Sequence, residues 1–106
     1  MDREKASFAE SSRRLLSLQP KLDSKTWWYL RDELRVQAYN MRGSMLAING
    51  VLSDAEKPAA AKAYKKFWQE IESFDLACKK KEPALANKEY EDVKQALAAY
   101  TKIVGV

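Results

Sequence analysis

Histidine is absent from this sequence, and cysteine occurs once, as Cys78. The first absence removes the commonest general base and the commonest transition-metal ligand together. Bundles that hold paired iron or manganese ions use Glu-x-x-His motifs, which cannot be written here. The lone cysteine allows no intramolecular disulfide, and as a nucleophile it would need a base that the chain does not supply. Neither a glycine-rich phosphate loop nor a Cys/His ligand spacing occurs. The reading is a non-enzyme, with no catalytic, metal-ligating or cofactor-binding residue expected.

Glycine and proline are also scarce, at three each, and no stretch alternates in the manner of a Val/Ile/Thr-rich strand. No apolar run reaches the eighteen or so residues needed to span a membrane. The opening "MDREKASFAE" is charged from its second position, so no secretory signal is expected there. A net charge of +4 arises from 19 basic and 15 acidic side chains that are largely interspersed. A nucleic-acid binder would show a denser basic stripe, so nucleic acid is not an expected partner.

What is present is helical. The 106 residues suffice for one domain, 1–106, with its own core. Three breaks divide it: "LQPKLDS" (18–24), with Asp23 and Ser24 as an N-cap; "NGVLSDAEKP" (49–58), with the Asn49-Gly50 stop and a Ser53-x-x-Glu56 capping box; and "KKKEPA" (79–84), with Pro83 starting a helix. The predicted helices are 3–18, 24–49, 54–81 and 84–104.

Each segment carries an apolar seam at helical spacing. Trp27, Leu30, Leu34, Ala38, Met41, Met45 and Ile48 form the second, and Ala60, Tyr64, Phe67, Ile71, Phe74 and Cys78 the third. Ala86, Tyr90, Val93, Leu97, Tyr100 and Val104 form the fourth; Phe8, Leu15, Leu18 and Leu22 make a weaker first. Seams of this period with short connections predict an all-α, up-down-up-down four-helix bundle about 30 to 40 Å long. Its first helix is expected to fray or swing.

The acids Asp32 and Glu33 read as a flank ion-pair cluster beside Arg31 and Arg35. Asp75, next to the inner positions Ile71 and Phe74, is expected to pair with a basic side chain of a neighbouring helix. Cys78, on the seam, should behave as a small hydrophobe. From the residues alone the conclusion is a helical scaffold that binds something, and periodicity does not name the partner.

The stretch "KTWWYLRDELRVQAYNMRGSM" (25–45) resembles the second-helix signature of the PsbQ family. Trp27, Leu30, Asp32, Glu33, Leu34, Arg35, Ala38, Met41 and Arg42 occupy its places. "FWQEIESFDLACKKKEP" (67–83) is similar to the family's third helix, and Tyr90, Val93 and Leu97 continue in register, so the resemblance covers roughly residues 10 to 103. The plant pattern includes a proline-rich N-terminal arm and a bulky residue where Gly43 stands; the cyanobacterial type has a lipidated cysteine and can bear histidines. A red-algal or diatom type fits these departures better.

The resemblance implies a non-catalytic subunit of photosystem II, peripheral to the thylakoid membrane of the chloroplast on its lumenal side. Such a subunit caps the oxygen-evolving centre and helps to retain calcium and chloride. Its partners would be the photosystem core and the other extrinsic subunits, and the free chain is expected to be a monomer. The alternatives are a PsbQ-like subunit of another thylakoid assembly of the NADH-dehydrogenase-like kind, or an unrelated basic bundle that binds a lipid surface or nucleic acid.

Within that frame "TWWYLRDELR" (26–35) supplies the partner-binding residues. Helix geometry rotates Trp28 and Tyr29 about 100° and 200° from the seam residue Trp27, so the core cannot take all three. Trp28 and Tyr29, flanked by Arg31 and Arg35, are candidates for a docking surface. Arg13, Arg14, Arg42, Lys62, Lys65 and Lys66 are candidates for meeting an acidic surface. The Lys79-Lys80-Lys81 run needs no partner, because cations are favourable at any helix C-terminus.

Overall fold

A computed structural model describes residues 1–106. Its helices are α1 (Asp2–Leu15), α2 (Gln19–Asp23), α3 (Trp27–Gly50), α4 (Lys57–Lys79) and α5 (Pro83–Val104). The four long helices form the bundle, a rod with principal extents of 42 × 23 × 16 Å. In it α3 packs between α1 and α4, and α4 packs on α5. Phe8 closes the ring of four helices by meeting Tyr100 at 5.6 Å between ring centroids.

The predicted seams are the core. One cluster joins Leu30, Leu34, Met41, Met45 and Ile48 of α3 to Phe67, Ile71 and Phe74 of α4 and to Tyr90, Val93, Leu97 and Tyr100 of α5. Phe8, Leu15, Leu18 and Leu22 complete it from the first two helices. Two seam positions depart from the expectation: Trp27 and Tyr64 are only half-buried and lie against the rim of that cluster. Trp27 is the first residue of α3, at the end of its seam.

Several boundaries also move. The segment expected as one helix over 3–18 ends at Leu15 and resumes as the short α2. Pro20, with no N–H and a ring that collides with the carbonyl four residues earlier, blocks a continuous helix there. Neither Asp23 nor Ser24 caps α3, whose N-cap is Thr26; the Ser24 hydroxyl bonds instead to the Lys21 carbonyl and the Thr26 hydroxyl. The Ser53 hydroxyl donates to the Glu56 carboxylate at 2.8 Å rather than to a backbone amide, and α4 begins at Lys57, three residues later than expected.

The left-handed residues lie elsewhere than at Asn49-Gly50, where α3 ends on Val51 with φ of −104°. They are Lys25 (φ 56°), Lys81 (φ 57°) and Gly105 (φ 74°). After α2, Thr26 N–H donates to Lys21 O and Lys25 N–H to Leu22 O. After α4, Glu82 N–H donates to Ala77 O and Lys81 N–H to Cys78 O. Both are Schellman turns with lysine where glycine is usual. Pro83 then stands in the first turn of α5, as expected.

Two tyrosine hydroxyls of α5 hold the other helices in place. Tyr90 donates to Leu15 O at 2.8 Å and accepts from Leu18 N–H at 3.2 Å, which fixes the junction of α1 and α2. Tyr100 donates to Asn49 Oδ1 at 2.7 Å near the end of α3. Burial pushes the Tyr90 phenol above its ordinary range and the Tyr100 phenol up to about 12.

Candidate functional site

The interior offers no reactive group. Cys78 is fully buried, and desolvation, with a smaller contribution from nearby Asp75, raises its thiol to about 12, so it stays protonated at neutral pH. One carboxylate cluster exists: oxygens of Glu70, Glu89 and Asp92 lie within 4.8 Å of one another. Lysine ammonium groups already balance it, with Lys66 at 2.7 Å from Glu70 and Lys88 at 3.0 Å from Asp92. That arrangement is an ion-pair network between α4 and α5. No helix is long and apolar enough to cross a membrane.

The residues singled out from the sequence lie at or near the surface and differ in their settings. Arg31 turns inward and pairs with Asp75 of α4 at 3.1 Å, the inter-helix bridge expected for that acid. This hydrogen bond raises the Arg31 guanidinium above its ordinary range. Lys66 is committed to Glu70. Arg13 and Arg14 share the Glu10 carboxylate at 2.7 and 2.9 Å and hold it at a pKa of about 2. They line a shallow groove between α1 and α3 together with Lys21 and Tyr29. The Lys21 ammonium sits 4.7 Å over the Tyr29 ring, so Tyr29 packs against the short second helix.

Trp28 behaves differently. Its side chain is 71% exposed, and its one aromatic neighbour is Tyr29 at 5.9 Å. It packs neither into the core nor under the end of the bundle. Arg42 lies with its guanidinium 6.0 Å over the Trp68 ring and shares with Lys65 and Tyr64 a groove between α3 and α4. The buried indole N–H of Trp68 finds no acceptor within the chain. Arg35 is exposed, with Asp32 at 3.8 Å. Lys62 and Lys65 stand exposed on α4.

One feature was not anticipated. The outer face of α3 exposes Tyr39 (74%), Val36 (52%) and Leu46 (50%) in addition to Trp28. At about 100° per residue Trp28, Tyr39 and Leu46 fall on one line along the helix. Arg35 and Arg42 flank that line on the side of α4, and Val36 and Gly43 flank it on the other. A side chain built at Gly43 would meet nothing within 4 Å. The signal was in the sequence: positions 36, 39, 43 and 46 advance by three or four, as the inner seam does, but out of phase with it.

Comparison with known proteins gives this surface a context. Residues 1–105 match the sequence model of the PsbQ family, described as oxygen evolving enhancer protein 3. The chain is 31% identical over 92 residues to oxygen-evolving enhancer protein 3-1, chloroplastic, of Arabidopsis thaliana, a match covering 87% of this chain and 41% of that protein. Against oxygen-evolving enhancer protein 3, chloroplastic, of Oryza sativa subsp. indica it is also 31% identical over 92 residues, covering 87% and 42%. It spans about two fifths of the length of these relatives. With a family match along nearly all of its length and the four-helix architecture in place, the chain belongs to the PsbQ family.

Proposed function

We propose that this chain is a non-catalytic extrinsic subunit of photosystem II that docks on the lumenal face of the thylakoid membrane and stabilises the oxygen-evolving centre. The observation that carries the reading is the family match over residues 1–105. The structure is compatible with it: a bundle whose interior is filled by aliphatic and aromatic side chains, with exposed aromatic and arginine side chains on one helix. Its partners are the photosystem core and the other extrinsic subunits, and it sits peripherally on the membrane. Trp28, Tyr29, Arg13, Arg14, Arg35, Arg42, Lys62 and Lys65 form the surface available to them. Arg31 serves mainly inside the bundle through Asp75, and Lys66, although exposed, is paired with Glu70.

The mechanism is linkage. A cap that binds the closed form of a centre more tightly than the open form lowers the population from which ions escape. Retention of calcium and chloride follows without any residue of this chain touching the ions. The test is reconstitution: the pure protein is added, with the other extrinsic subunits, to photosystem II cores stripped of them. Oxygen evolution is then followed at low calcium and chloride. Recovered activity supports the reading; unchanged activity from a saturably bound protein would remove the capping role. Absence of binding would point to another thylakoid complex of the NADH-dehydrogenase-like kind.

A further inference from the structure

The outer face of α3 has the character of an interface left open. A soluble helix normally turns charged residues outward, and scattered apolar side chains there need no explanation. Here Trp28, Tyr39 and Leu46 stand in line over about 27 Å of helix, with Val36 beside them. Gly43 interrupts this face in mid-helix, where glycine is destabilising relative to alanine. Nothing inside the chain requires it, since a Cβ there would enter open space and its φ is not left-handed. A missing side chain on an exposed face lets another backbone come close.

We infer that the outer face of α3 is a docking surface for a helix of an acidic partner protein, which crosses α3 at Gly43 and seats its apolar side on Tyr39 and Leu46. The charges select the partner. Arg35 and Arg42 lie two turns apart on the same flank, about 10.5 Å along the axis, and Lys65 extends that flank onto α4. Asp32 lies on the face itself, between Trp28 and Tyr39, with Arg35 at 3.8 Å, and Glu72 is the other acid nearby; Arg35, Arg42 and Lys65 leave the face cationic on balance. A second copy of this chain paired antiparallel through the two α3 faces fits poorly, because it would set one arginine flank against the other. A partner helix with carboxylates two turns apart, beside an apolar seam, matches both features.

This inference rests on the photosystem reading, and its test separates the two. Binding of the full chain to stripped photosystem II cores, with the other extrinsic subunits present, is measured for the parent, three variants of this face and one control variant. Tyr39→Ser/Leu46→Ser should weaken binding at least tenfold with unchanged helical content. Arg35→Gln/Arg42→Gln should weaken it and flatten its salt dependence. Gly43→Gln should raise Tm slightly while weakening binding, a combination that damage to the fold does not produce. Gln95→Ala, on the exposed side of α5, should bind as the parent does.

Binding by the parent with undiminished binding by the three variants would overturn the interface and leave the photosystem reading intact. No binding by the parent would remove both. Two further outcomes would replace the partner: a dimer in sedimentation that Tyr39→Ser/Leu46→Ser dissolves, or co-sedimentation with vesicles of anionic lipid that the same variant abolishes.

Discussion

At the scale of single residues, a few side chains do work that periodicity does not reveal. Tyr90 was legible as a seam residue, but the path of its hydroxyl to Leu15 and Leu18, more than seventy residues away, was not. Removing that oxygen with Tyr90→Phe leaves a buried carbonyl and a buried amide without their partner. The expected loss is about 1 to 2 kcal/mol in urea unfolding, with earlier hydrogen exchange around the junction of α1 and α2.

The same burial sets the response to pH. The Cys78 thiol rises from 9.0 to about 12 and the Tyr100 phenol from 10.0 to about 12. A group whose pKa is higher in the folded state stabilises that state fully below its unfolded value and loses the contribution as pH climbs to the folded value. With no histidine to titrate near neutrality, stability should be flat around pH 7 and fall between about pH 9 and 12. Glu10 acts oppositely, its contribution being present above 4.5 and lost toward 2, but it lies on the surface and its effect is small. Chemical denaturation across pH 5 to 12, at steps of about one unit, checks the profile.

At the scale of elements, the inner seams were readable because each helix must bury one stripe, and a stripe has a period. The connections were less so. Lys25 and Lys81 adopt left-handed backbone because the Schellman turns require it there, and lysine gives no local sign of this. Such a residue carries a steric cost that glycine avoids. Lys81→Gly should therefore stabilise the bundle by up to about 1 kcal/mol, read as a higher Tm with unchanged circular dichroism. A lower Tm would show that the lysine contributes more through its charge at the end of α4 than it costs in conformation. The pattern "TWWYLRDELR" posed a similar problem: the exposure of Trp28 depends on what α1 and α2 cover, and only the assembled bundle shows it.

For the whole molecule, the seams predicted a rod with a closed core, and the observed length of 42 Å is close to the expectation. The docking surface was only half legible. Trp28, Arg35 and Arg42 were visible as aromatic and basic residues, whereas Tyr39, Val36 and Leu46 became significant once α3 was known to leave that side uncovered. Arg31 was legible as a cation but not as the inward-turned partner of Asp75. Charge alone does not tell a side chain that closes a bundle from one that waits for a partner.

In the proposed assembly this chain is held to the photosystem by that exposed side. Hydroxyl-radical footprinting of the unmodified protein, free and bound to photosystem II cores, measures it directly, because Trp28 and Tyr39 are both exposed and reactive when the chain is free. Strong protection of these two residues in the bound state, with little change at residues of α5, is the predicted result. A bound chain whose Trp28 and Tyr39 remain as reactive as in solution would contradict it.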